Sequence, residues 1–158
     1  MGVAGSGKTM VGHALAVELG WRFVEGDDAH PARNVEKMHA GIPLTDADRE
    51  PWLAALHAII AAAIARREHT IVACSALKAR YRERLRGDLR TVRFVYLRGD
   101  QAVIRRRLAE RPAHFFNPAL LPSQFDALEE PGADEALIVD AAARPEHILG
   151  TIREVFGI

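Results

Sequence analysis

A single cysteine, Cys74, stands in a chain of 158 residues, so no disulfide can form within it and the fold must rest on its core. Net charge is also missing. The 21 basic and 21 acidic side chains cancel, leaving no overall field to draw nucleic acid or an anionic membrane. No apolar run approaches the roughly 20 residues needed to cross a bilayer. No positively charged start leads into an apolar stretch, so nothing reads as a secretory signal. Repeats and low-complexity linkers are absent as well. These absences point to a cytoplasmic, soluble enzyme with one domain over residues 1–158, and to no nucleic-acid or membrane partner. The length suits one domain with a real core and is short for two.

What is present alternates. Trp21–Glu25, Thr70–Cys74, Thr91–Leu97 and Ala136–Asp140 are β-rich runs, and the continuous apolar character of "TIVAC", "FVYL" and "ALIVD" suggests strands buried on both faces, as in a parallel sheet. Between them, Val11, Leu15 and Leu19 make one stripe of a helix over residues 8–19. Trp52, Leu56, Ile59, Ile60 and Ile64 do the same over 51–66, where Pro51 suits a first turn. A third helix spans 100–111, with Asp100 as N-cap and Pro112 as its stop. A fourth opens at Pro145 and ends near Gly157. Strands alternating with helices predict an α/β fold with helices on both faces of a parallel sheet. Two connections, 26–50 and 112–135, are too long for plain loops and are candidates for an acceptor site and a lid.

Residues Gly2, Val3, Ala4, Gly5, Ser6, Gly7, Lys8 and Thr9 complete the P-loop pattern. Gly5 and Gly7 let backbone N–H groups approach phosphate oxygens with no Cβ in the way. The helix opening near Lys8 turns the positive end of its dipole to the same anion. Lys8 supplies a mobile cation for the β- and γ-phosphates of ATP, and the Thr9 hydroxyl can ligate Mg²⁺. A P-loop ordinarily joins a strand to a helix, yet only Met1 precedes Gly2. The expectation is therefore that the natural reading frame starts upstream; a shorter protein with a repaired sheet is the alternative.

The stretches "MGVAGSGKT", "EGDDAHPARNVEKMHAGIPLTDADREPWL", "CSALKARYRERLR", "YLRGD" and "HFFNPALLPSQFDALEEPGADE" resemble the bacterial gluconokinase family, a branch of small kinases related to shikimate kinase. The blocks cover residues 1 to about 140. The GD-x-x-HP-x-RN-x-x-KM and PL-x-D-x-DR-x-PWL stretches are far more specific than the P-loop. The resemblance implies a three-layer P-loop kinase fold with five parallel strands in the order 2-3-1-4-5, of which this sequence supplies four. It implies ATP-dependent phosphorylation of gluconate to 6-phosphogluconate, and suggests a homodimer, although no apolar stripe demands one.

Glu25, Asp27 and Asp28 follow the first strand of this sequence, at the edge where α/β proteins place ligands. A kinase needs an acid near the acceptor hydroxyl. By resemblance that acid is Asp27, in the family's Gly-Asp position, and Glu25 faces Mg²⁺ through water; without the resemblance both could be plain turn acids. The strand at 70–74 ends in Cys74-Ser75 with no Walker-B acid, which shifts metal duty to Thr9 and the Glu25/Asp27 pair. Gluconate has one carboxylate and many hydroxyls, so its site needs cations and hydrogen-bonding groups. His30 and Arg33 lie in the first long segment, and Arg49, Lys78 and Arg82 occupy matching family positions. Surface charge is the plain alternative for the basic residues, and capping or packing for His30. Arg107 and Arg111 share a helix face. By resemblance Arg107 stacks on adenine, Arg111 reaches the transferred phosphoryl group, and 112–131 form the lid. Two alternatives stay open: a kinase for another small acceptor such as shikimate, or a nucleotide-binding regulator that transfers nothing.

Overall fold

Residues 1–110 and 117–158 are described by the computed structural model. Among them four strands form two parallel pairs. Strand β1 (Arg22–Glu25) runs beside β2 (Thr70–Ala73), with Val24 opposite Val72. Strand β3 (Phe94–Arg98) runs beside β4 (Ala136–Asp140), with Tyr96 opposite Ile138. The chain end bridges the pairs: Leu97 N–H donates to Met1 O at 3.0 Å, while Gly2 N–H donates to Ser75 O at 3.1 Å, just beyond β2. The described residues thus make two pairs joined through Met1 and Gly2, and not the continuous five-strand sheet that the resemblance implied. A cavity of about 570 Å³ lies in the gap, lined by Val11, Leu15, Ile71, Val72, Val95 and Ile152 among others.

Helices cover both faces, as alternation along the strands requires. Ile71 and Val95 pack with α1 (Lys8–Leu19) and α7 (Pro145–Phe156) around Val11, Leu15, Ile148 and Ile152. Their neighbours Val72 and Phe94 point the other way, onto Trp52, Leu56, Tyr81 and Leu85 of α3 (Asp46–Ala65) and α4 (Ala79–Arg86). A third cluster joins the P-loop to α5 (Gln101–Ala109) and α6 (Leu121–Ala127) through Val3, Leu77, Ile104, Leu108 and Leu121.

Several element boundaries differ from the sequence reading. Helix α3 begins five residues before Pro51 because Thr45 and Asp48 close a capping box, each satisfying the other's backbone N–H. Such a cap is worth about 1 kcal/mol, which offsets part of the cost of Pro51 inside the helix; the buried face of Trp52, Leu53 and Leu56 supplies the rest. Strand β3 starts at Phe94, and α5 ends at Ala109 with Asp100 capping it as expected. Both long connections contain helices: α2 (Ala32–His39) after a 3-10 turn at Gly26–Ala29 in the first, α6 in the second. Helix α4 had no apolar period to announce it, being "ARYRERLR" with four arginines.

The two cores differ in how well they are filled. Leu56 is fully buried, and Leu56→Ala should cost about 2–5 kcal/mol in chemical denaturation. Ile71 already borders open space, so Ile71→Ala should fall at or below the bottom of that range in the same measurement.

Candidate active site

The P-loop enters from Met1–Gly2 and turns into α1. Gly7 is the N-cap of α1 with φ +98°, a left-handed conformation that L side chains rarely adopt. Gly5 is tied to packing as well: a Cβ there would lie 2.8 Å from Leu108 Cγ on α5. Lys8 Nζ folds back onto Val3 O at 3.0 Å, and burial lowers its pKa against the opposing pull of Asp27. The Thr9 hydroxyl donates to Glu25 Oε2 at 2.6 Å, which joins the start of α1 to the end of β1.

Asp27 sits in the 3-10 turn that follows β1. The turn is held from α3, where the Trp52 indole N–H donates to Gly26 O at 2.7 Å. Trp52 is 1% exposed and stacks on His30 at 4.6 Å with 7° between the rings. Sequence reasoning treated Trp52 as core; in the fold it also sets the position of Asp27 and His30. Asn34, fully buried, donates through Nδ2 to Asp48 O at 2.7 Å and approaches His30 Nδ1 at 3.4 Å. An amide nitrogen can only donate, so His30 Nδ1 is the acceptor and Nε2 carries the proton. Burial first, and Arg49 second, push the His30 pKa down to about 4.

These groups meet in one cleft of about 410 Å³. Of the residues expected from sequence, Ala4, Gly5, Gly7, Lys8, Thr9, Glu25, Asp27, His30 and Arg49 line it. Asp28, Met38, Leu44 and Ser75, to which the sequence assigns no role, line it too, as do Leu120, Ser123 and Gln124 from the segment expected to form the lid. Arg49 is fixed by a hydrogen bond to Leu44 O and lies 5.8 Å over the Tyr81 ring. Arg107 donates to Ala141 O at 2.7 Å, which ties α5 to the segment after β4.

Three expected acceptor ligands lie elsewhere. Arg33 is exposed on α2 and does not line the cleft. Lys78 pairs with Asp46 at 3.0 Å, in a cluster with Arg80 and Tyr81 that holds the Asp46 carboxyl well below the usual carboxylate range. Arg82 is buried on α4 and binds Glu135 through both Nε and Nη2. Its Nη1 donates to the carbonyls of Ala76, Leu77 and Glu129. Ala76 has φ +45°, an unusual conformation without a glycine, and Arg82 braces it. All three guanidinium nitrogens are engaged with protein groups, and these contacts hold the turn after β2. Arg111, and residues 112–116 of the expected lid, lie outside the described residues.

A phosphate loop at the mouth of a parallel strand pair, with acids and a cation facing it across one cleft, defines the class of P-loop kinases. A family model described as "AAA domain" matches residues 1–130. The chain is 47% identical over 150 residues to a gluconokinase of Gluconobacter oxydans, covering 94% of this chain and 84% of that one. A sugar kinase from Janibacter sp. HTCC2649 superposes with a TM-score of 0.94 at 40% identity, covering 100% of this chain and 92% of that one. A gluconokinase from Sinorhizobium meliloti gives 0.85 at 42% identity, covering 99% and 93%. The chain belongs to the gluconokinase family.

Two measurements check the placements. Arg82→Met should destabilise the fold by about 3 kcal/mol or more, because it strands Glu135 and three carbonyls, while leaving KM for the acceptor within twofold. The His30 imidazole should titrate near 4 and not near its ordinary 6.5 by NMR. Its folded pKa lies below the unfolded one, so its contribution to stability is complete above pH 6.5 and is lost as the pH falls toward 4.

Proposed function

We propose that this chain transfers the γ-phosphoryl group of ATP to a hydroxyl of gluconate, giving 6-phosphogluconate and ADP. The observation that carries this reading is the single cleft in which Lys8 and Thr9 of the P-loop face Asp27, His30 and Arg49. In the reaction a bond forms from the acceptor oxygen to the γ-phosphorus and the β–γ bridging bond breaks. The hydroxyl proton passes to Asp27, the acid at the end of the first strand. Arg49 suits the gluconate carboxylate. His30, neutral and with its proton on Nε2, suits a hydroxyl oxygen. Lys8 leaves Val3 O for the phosphates as they arrive.

The residues present fit Mg²⁺. Thr9 Oγ1 and Glu25 Oε2 are 2.6 Å apart, two oxygen donors of the hard kind that magnesium prefers. Thr9 would hold the ion directly and Glu25 through water; when bound, it neutralises charge on the β- and γ-phosphates. Arg107, held at Ala141, supports an adenine site between α5 and the loop after β4, and by the family resemblance Arg111 serves the transferred group. Residues 112–131, described from residue 117 onward and including α6, act as a lid that excludes water from the transfer. No helix among the described residues is long and apolar enough to cross a membrane, and the free thiol of Cys74 fits a cytoplasmic setting.

Coupled ADP release with gluconate, shikimate and nucleoside monophosphates tests the substrate. Turnover should depend on gluconate, and turnover with shikimate or a monophosphate alone would overturn the reading. Asp27→Asn should lower kcat about 10²–10⁴-fold while leaving ATP binding intact by calorimetry. A regulator that only binds nucleotide would instead tolerate that change and hydrolyse ATP slowly without an acceptor.

A further inference from the structure

Helix α6 reaches the P-loop through one polar contact whose geometry constrains what the rest of the side chain can do. The backbone N–H of Ala4 donates to Gln124 Oε1 at 2.6 Å, joining residues 120 apart in sequence. A backbone N–H can only donate, so the atom facing it must be the amide oxygen, and the amide has one orientation. The oxygen is thereby committed to the loop. Among the described residues Nε2 has no hydrogen-bond partner, and Gln124 lines the cleft beside Lys8, Asp27 and Arg49. What Gln124 offers the cleft is therefore an uncharged donor.

The backbone around it is well held. Leu121 is buried with Val3, Leu77, Ile104 and Leu108, and Phe125 packs against the same cluster. Ser123 turns its hydroxyl back to Leu120 O at 2.8 Å. Leu108 is also the side chain against which Gly5 must lie without a Cβ. The phosphate loop and α6 thus rest on one apolar cluster, and the Gln124–Ala4 bond fixes their register on it. An uncharged donor held there suits an oxygen of a neutral hydroxyl. A carboxylate in the same place would set its charge against the acceptor's own, which the uncharged Gln124→Met does not.

We propose that Gln124 is a specificity-determining residue for the acceptor: Oε1 latches α6 to the P-loop at Ala4, and Nε2 donates to a hydroxyl oxygen of the bound polyhydroxy acid. This rests on the phosphotransfer reading above. The latch makes the donor's position depend on the shape of the phosphate loop, so acceptor binding and loop geometry are coupled.

Two substitutions separate the latch from the donor. Gln124→Glu keeps an oxygen for the Ala4 N–H and removes the donor; Gln124→Met removes both. With the full chain, ATP and gluconate, Gln124→Glu should raise the gluconate KM at least tenfold. Its melting temperature should stay within about 2 °C of the parent, and its Kd for a non-hydrolysable ATP analogue within threefold. Gln124→Met should raise KM similarly and lower kcat as well, because the loop loses its brace. An unchanged gluconate KM in Gln124→Glu overturns the proposal. So does a loss that falls equally on the ATP-analogue Kd, or a loss confined to melting temperature, which a purely structural glutamine would give. Absence of gluconate turnover in the parent chain would instead sink the substrate reading, so the two failures are told apart before any variant is made.

Discussion

The passage of Met1 and Gly2 between the two strand pairs is the constraint on which the cleft depends. One residue accepts from Leu97 and the next donates to Ser75, so the phosphate loop is pinned to both pairs as it begins. Space there is tight: a Cβ on Gly2 would fall 2.8 Å from Leu97 O. From that anchor the loop meets Leu108 at Gly5 and caps α1 at Gly7, and Lys8 and Thr9 come out facing the end of β1. Ser75 is itself placed by the turn at Ala76, which Arg82 braces from α4. A buried arginine far from the reacting groups therefore shares in setting the loop.

The side of the cleft that carries Asp27 and His30 is built on a second anchor, the indole of Trp52. Its hydrogen bond to Gly26 O and its stacking on His30 fix the 3-10 turn that presents Asp27. Around it lies a shell of linked polar groups, Thr45 and Lys37 on Asp48, Asp48 O on Asn34, and Asn34 beside His30, in which the buried Asn34 Oδ1 has no partner among the described residues. Lys37 first, and Thr45 after it, hold the Asp48 carboxyl below the usual carboxylate range. Capping α3 and fixing the tautomer of His30 are thus parts of one network. Charge in the cleft is correspondingly mixed, with Lys8 and Arg49 set against Glu25, Asp27 and Asp28.

Much of this was legible along the chain. The P-loop needs glycines and a lysine at fixed spacing, and local backbone chemistry is enough to recognise it. Strands β2 to β4 showed as continuous apolar runs because both of their faces are covered, and β1 showed as a short β-rich run between charged residues. Helix α4 did not show, since its buried residues are Tyr81, Arg82 and Leu85 among arginines. Helix α3 showed too short, since the capping box that starts it reads as loop composition.

Residue types and spacing were enough to determine the α/β class, the phosphate loop and the family, because each is written in contiguous segments. Which basic residues line the cleft was decided by tertiary structure alone. Arg49, Lys78 and Arg82 look equivalent in sequence, yet Arg49 lines the cleft, Lys78 pairs with Asp46, and Arg82 is consumed by Glu135 and three carbonyls. The same holds for Gln124, whose nearness to Ala4 depends on α6 folding back across 120 residues of chain. A charge or an amide acquires its role from its partners, and those partners come from other elements.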